Sequence, residues 1–201
     1  MEQRTPTIGV LALQGAFIEH EQALARLGVP ARQVRLPEHL DGLDGLIIPG
    51  GESTVIGKLM VRYGLDESIR HFAANGGAIW GTCAGMIVMA RDVGREQPLL
   101  GLLDIDVERN AYGSQLFSFE EDVTLPALDI DDLHAVFIRA PVVSRIGPGV
   151  TVEATDSRGN VIAVSNGAIF ATAFHPELTV DSRLHEHFCS LALRGTPVAV
   201  R

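Results

Sequence analysis

Along the first half of the chain, short apolar runs alternate with stretches in which apolar residues recur at helical spacing. Residues 7–13 read as an apolar strand. From Phe17 to Leu27 the positions Phe17, Ala23, Leu24 and Leu27 follow helical spacing, and Gly28 stands where a helix can end on a left-handed residue. A short strand over 31–36 is closed by Pro37, and a third over 45–48 runs into Pro49-Gly50-Gly51. Ser53 and Thr54 are good N-cap types, so a helix is predicted from there to Tyr63-Gly64. A second helix is predicted over 66–74, stopping at Asn75-Gly76-Gly77. The apolar run Ala78-Ile79-Trp80 leads into Cys83, and another helix continues to about Ala90. Repeated β-α units of this length predict an α/β fold, with a mostly parallel central sheet and helices on both faces.

The second half reads differently. Ile105 and Val107 alternate with Asp104, Asp106 and Glu108, the pattern of a half-exposed strand. Short strands are predicted over 123–125, 135–138, 151–154, 161–164 and 169–174. Turn signals at Gly147-Pro148-Gly149, Ser157-Arg158-Gly159-Asn160 and Asn166-Gly167 separate the last four. A helix over 182–193 closes the pattern, and 197–201 reads as a loose tail. There is no repeat, low-complexity tract or linker, so a single domain over 1–201 is expected.

Composition narrows the functional classes. With 46% hydrophobic residues in 201, the chain can bury a full core. A formal net charge of −9 argues against nucleic acid or an anionic membrane as partner, since both would repel it. The apolar stretch near the N-terminus is interrupted by Gln14 and Gly15 and does not read as a signal peptide. The longest apolar run, 78–90, falls short of the ~20 residues that span a bilayer. A soluble, cytoplasmic protein is expected. Of the two cysteines, Cys189 lies in a helical apolar pattern and reads as a small core residue. Metal and nucleotide cofactors are not expected, because the ligand set for structural zinc and the glycine-rich phosphate fingerprints are both missing. The histidines other than His175 (His20, His39, His71, His134, His185 and His187) show no pairing that requires a ligand.

The chemistry concentrates at two places. Gly81-Thr82-Cys83-Ala84-Gly85 after an apolar run reads as a nucleophile elbow, a sharp strand-to-helix turn that projects the central side chain from the sheet edge. A cysteine at a helix N-terminus is favoured as thiolate, the reactive form. His175 precedes Pro176, which biases it to extended backbone, so His175 and Glu177 face the same way. Cys83, His175 and Glu177 thus supply nucleophile, base and base-orienting carboxylate. In a parallel α/β sheet, ligands bind beyond the carboxyl ends of the strands, where Gln14-Gly15 and Gly50-Gly51-Glu52-Ser53 also fall. Bare N–H groups at Gly51 and at Ala84 suggest an oxyanion hole.

These residues resemble a known family. The triad order and the Gly81–Gly85 elbow are similar to the class I (triad) glutamine amidotransferases, and within them to the glutaminase subunits of pyridoxal 5′-phosphate synthase. The resemblance rests on Leu11-Ala12-Leu13-Gln14-Gly15 with Glu19-His20, on Pro49-Gly50-Gly51-Glu52-Ser53-Thr54, on Val107-Glu108-Arg109-Asn110, on Phe137-Ile138-Arg139-Ala140-Pro141, and on Phe174-His175-Pro176-Glu177-Leu178-Thr179. It departs at Ser114, where arginine is expected, and at Phe117, where a polar residue is expected. The resemblance implies a three-layer αβα fold that hydrolyses L-glutamine and passes ammonia to a separate synthase subunit in a hetero-oligomeric complex. It also implies that Gly51, Glu52, Ser53, Arg109, Ile138 and Arg139 contact glutamine. Arg109 and Arg139 suit its α-carboxylate, because guanidinium binds carboxylate through paired donors.

Two other readings fit parts of the pattern. A non-catalytic α/β protein sensing oxidation at Cys83 has no use for an ordered histidine and carboxylate. A triad amidotransferase feeding histidine biosynthesis is disfavoured by the Glu52-Ser53-Thr54 and Glu108-Arg109-Asn110 pieces.

Overall fold

The computed structural model describes residues 4–112 and 118–194; the Ser114 and Phe117 departures and the tail at 197–201 lie outside the described residues. The α/β alternation of the first half folds as its pattern predicts. β1 (Ile8–Leu11), α1 (Phe17–Arg26), β2 (Ala31–Val34), β3 (Gly45–Ile48), α2 (Ser53–Arg62), α3 (Leu65–Ala74), β4 (Ala78–Thr82) and α4 (Ala84–Met89) follow in order. β1, β3 and β4 are buried at every position, so their runs are continuously apolar rather than alternating, as expected of parallel strands covered on both faces. The second half supplies β5 (Ile105–Glu108), β6 (Ser118–Leu125), β7 (Ile130–Ile138), β8 (Val142–Ile146), β9 (Thr151–Thr155), β10 (Val161–Asn166), β11 (Ile169–Thr172) and the closing helix α5 (Arg183–Arg194).

The main sheet runs β2-β1-β3-β4-β11-β10-β8-β5, with β9 paired to β10. The five strands from β2 to β11 are mutually parallel, and an antiparallel wing of β10, β9, β8 and β5 extends one edge. The largest departures from the sequence pattern are β6 and β7, which form a separate antiparallel ribbon reaching back to Ser118 and Ile130. β8 has no counterpart among the predicted strands, because Pro141 precedes it and its five residues carry no clean alternation.

Helices cover both faces of the parallel strands, and β4 shows the division. Trp80 faces α1 and α5, with His20, His185 and Phe188 around its ring. Gly81 points the other way, onto Met89 and Gly85 of α4, which packs with α2. α4 lies so close to β3 that a Cβ on Gly85 would stand 2.1 Å from the Ile48 carbonyl oxygen. That neighbour is backbone and cannot rotate away. Gly85→Ala is therefore expected to destabilise the fold by about 1–3 kcal/mol, read as a lowered denaturant midpoint with unchanged slope.

Candidate active site

Strand order explains how two remote motifs meet. β4 and β11 are parallel neighbours, with Thr82 opposite Thr172, so Cys83 and the segment leading to His175 leave the sheet side by side. The Cys83 N–H donates to the Thr172 carbonyl at 2.8 Å, and the His175 N–H donates to Val136 of β7 at 2.9 Å. Cys83 itself has φ 47° and ψ −102°, a left-handed conformation for a residue with a Cβ. Such geometry costs of order 1–3 kcal/mol and persists where the surroundings impose it. It is the elbow that the glycine-flanked sequence predicts.

Within the site, His175 sits between sulfur and carboxylate. Its Nδ1 lies 2.7 Å from Glu177 Oε1, and Cys83 stands close enough to the imidazole to raise its pKa. All three residues are buried. Burial lowers the His175 pKa, but the Cys83 and Glu177 contacts outweigh it and raise the value to about 10. Glu177 is pushed the opposite way: burial disfavours its charge, yet His20 and His175 together hold it below the usual carboxylate range. Gly50 lies against the imidazole, where a Cβ would meet His175 Cε1 at 2.3 Å. Only glycine lets the loop pass so close.

The loop after β3 is pinned on both sides of Gly51. The Gly50 N–H donates to Thr82 Oγ1 at 3.1 Å, the Gly50 carbonyl accepts from Ala16 N–H at 3.0 Å, and Glu52 N–H donates to Gln14 Oε1 at 2.7 Å. Across Cys83, the α4 helix begins bonding with Ile87 N–H to the Cys83 carbonyl, so the Ala84 N–H has no intrahelical acceptor. The helix after the loop is capped differently from the sequence expectation. Glu52, rather than Ser53 or Thr54, is the N-cap of α2, its carboxylate accepting from Thr54 and Val55 N–H groups. Those donors and Arg109 hold Glu52 below its usual pKa against the opposing effect of burial.

The remaining expected binding residues fall in two groups, one around Arg109 and one beside Cys83. Arg109 donates to Glu52 Oε1 at 3.2 Å and to Gln97 Oε1 at 3.1 Å. Ser53 is buried, with its hydroxyl 3.5 Å from Gln97 Oε1. The Ile138 carbonyl lies 3.8 Å from Cys83 Sγ, and Arg139 follows at φ 46°. The β6–β7 ribbon therefore brings the Ile138 carbonyl to the nucleophile, with Arg139 next along the chain.

Several members of this neighbourhood are hidden in the sequence. Nothing in residue order pairs His20 with His185, yet their rings meet: His20 Nδ1 is 3.0 Å from His185 Nε2, and both residues are fully buried. One sits on α1 and the other on α5, a pairing that sequence separation hides. Gln14 is legible as part of a loop at the carboxyl end of the sheet, but its bond to Glu52 N–H is not, and the roles of Thr82 and Gln97 are hidden too. Thr82 was legible only as part of the elbow, and Gln97 lies in a loop without a motif. Cys189 is buried on α5 and its thiol is pushed up to about 11, chiefly by burial. Among the described residues no cluster of His, Cys, Asp and Glu is arranged to hold a metal, and no helix is long and apolar enough to cross a membrane.

Comparison with known proteins identifies the family. The sequence profile of the SNO glutamine amidotransferase family matches residues 10–193. The chain belongs to that family. Among relatives, the pyridoxal 5′-phosphate synthase subunit PdxT of Herpetosiphon aurantiacus is 55% identical over 189 residues, covering 92% of this chain and 100% of the relative. The PdxT subunit of Deinococcus radiodurans is 53% identical over 193 residues, covering 92% and 97%. A crystal structure of a glutamine amidotransferase superposes with a TM-score of 0.88 at 51% identity, over 92% of this chain and 98% of that one. As a member of the SNO family, this chain is an enzyme of the glutamine amidotransferase class, with the α/β fold of that structural relative.

Proposed function

We propose that this chain is the glutaminase subunit of a pyridoxal 5′-phosphate synthase, acting as one domain that hydrolyses L-glutamine through Cys83, His175 and Glu177. The observation that carries this reading is the His175 imidazole bonded to the Glu177 carboxylate, with Cys83 close enough to raise its pKa. Cys83 thiolate attacks the side-chain carbonyl carbon of glutamine. The resulting oxyanion accepts hydrogen bonds from the Gly51 and Ala84 N–H groups. Imidazolium His175 protonates the leaving ammonia, and the C–N bond breaks to leave a γ-glutamyl thioester. His175 then takes a proton from water, which attacks the thioester and releases glutamate and the free sulfur. Glu177 holds the Nδ1–H tautomer of His175 and stabilises its cation. Gly51, Glu52, Ser53, Arg109, Ile138 and Arg139 contact the substrate. The five guanidinium donors of Arg109 exceed its contacts to Glu52 and Gln97, so a glutamine carboxylate can share them.

The ammonia passes to a separate synthase subunit in a hetero-oligomeric complex. Because the Gly50 carbonyl is tied to Ala16 N–H, the planar trans peptide aims the Gly51 N–H away from Ala16, and the flexible glycine pair can adopt a second conformation. The purified chain alone is expected to release glutamate slowly, and addition of the synthase subunit to raise turnover as the loop at Gly51 is organised. Full glutaminase turnover by the isolated chain, unchanged by the synthase, contradicts the activation. Absence of glutamate release with the synthase present contradicts the function itself.

A further inference from the structure

The fully buried pair His20 and His185 lies behind the triad, and none of the steps above uses it. His20 Nδ1 is 3.0 Å from His185 Nε2, while His20 Nε2 faces Thr82 Oγ1 at 3.2 Å and Glu177 Oε2 at 3.4 Å. Glu177 Oε2 is buried and accepts no hydrogen bond among the described residues, so the His20 contact at 3.4 Å is electrostatic. Trp80 packs edge-on against both imidazoles and keeps water out of the pair.

The tautomers follow from these contacts. Burial lowers the pKa of His20 against the opposing pull of Glu177, and burial also lowers that of His185, so each ring carries one proton. A carboxylate oxygen cannot favourably face an imidazole lone pair, so the His20 proton sits on Nε2, donated to Thr82 Oγ1 with Glu177 Oε2 in electrostatic reach. His20 Nδ1 is then an acceptor, and His185 must donate to it from Nε2. His185 Nδ1 is left as a lone pair, and it is indeed a buried atom without a partner among the described residues. The reverse arrangement would strand an N–H at that atom, the costlier defect. Thr82 Oγ1 in turn accepts the Gly50 N–H at 3.1 Å. The chain His185–His20 therefore touches both the carboxylate behind the base and, through Thr82, the loop that carries Gly51.

We propose that His20, locked in its Nε2–H tautomer by His185, is a positioning residue that holds Glu177 and the Gly50-Gly51 loop in register with Cys83. This role rests on the glutaminase reading above.

Two measurements test it separately. Nitrogen-15 spectra of the full chain are expected to show His20 and His185 as neutral Nε2–H tautomers at neutral pH, whatever reaction the protein performs. A His20 Nδ1–H tautomer, or an imidazolium, overturns the proposal. Glutamate release is then followed with the synthase subunit present. His20→Gln places an amide donor near the Nε2 position and is expected to keep kcat within about 3-fold of wild type, whereas His20→Leu is expected to lose about 10–100-fold in kcat with KM for glutamine nearly unchanged. A folded His20→Leu protein with wild-type kcat overturns the role, as does an equal loss in both variants accompanied by equal loss of thermal stability. Should wild type release no glutamate, the glutaminase reading fails and the tautomer result still decides the hydrogen-bond chain.

Discussion

Replacing Cys83 by alanine is expected to abolish glutamine hydrolysis while leaving the fold intact. Cys83 is nearly enclosed, and its backbone is held at φ 47° by the strand pairing and the helix that follow from its neighbours. Alanine keeps the Cβ that the elbow already tolerates and removes only the sulfur. The residual route is attack by water on a bound amide, so turnover should fall by at least about 10⁴-fold, as when other catalytic nucleophiles are deleted. Glutamate release from the complex with its synthase checks the rate. Intact-mass analysis of acid-quenched samples checks the intermediate: wild type should carry a γ-glutamyl adduct that the variant lacks. An adduct persisting in Cys83→Ala would move the nucleophile elsewhere.

The second large effect is expected at Glu177. Both of its oxygens face histidine nitrogens, Oε1 toward His175 at 2.7 Å and Oε2 toward His20 at 3.4 Å. Glutamine at this position offers one acceptor and one donor, so one of the two imidazoles must face an N–H or change tautomer. Glu177→Gln is expected to lower kcat by about 10²–10⁴-fold, by analogy with neutralising the carboxylate of a serine-protease triad. Titration provides a separate readout. The His175 pKa, raised to about 10 in part by Glu177, should fall in the variant. The sign in stability follows from linkage. The raised His175 value contributes stability that is fully present below its unfolded value near 6.5 and is lost as pH rises through about 10. The depressed Glu177 contributes stability present above 4.5 and lost on acidification. Glu177→Gln should remove both contributions, giving a flatter profile of stability against pH. An unchanged His175 titration would show that the carboxylate does not govern the base.

Much of this architecture is local and can be read from residue order. The helical spacing from Phe17 to Leu27, the glycine-bounded ends of α2 and α3, and the continuous apolar strands all depend on neighbours within a few turns. The elbow at Cys83 is local too, because flanking glycines and an apolar run specify it without reference to the rest of the chain. His175 and Glu177 do meet, but not along the extended backbone that the sequence predicts: Pro176–Leu178 forms a single 3-10 turn that brings Glu177 back onto the imidazole.

What residue order left open is every choice made between distant segments. It named Cys83, His175 and Glu177 as partners by chemistry, but the parallel adjacency of β4 and β11 is what brings the sulfur to the imidazole. The antiparallel wing with its unforeseen strand β8, and the ribbon that brings the Ile138 carbonyl to the nucleophile, depend on which edges find each other. Glu52 displaced Ser53 as the cap of α2 because its longer side chain reaches two N–H groups and still meets Arg109. His20 and His185 were unremarkable on their separate helices and became a buried pair only when α1 and α5 packed on the same face of the sheet. Periodicity reports which side of an element is buried; the identity of the partner across that burial is decided by packing the whole sheet at once.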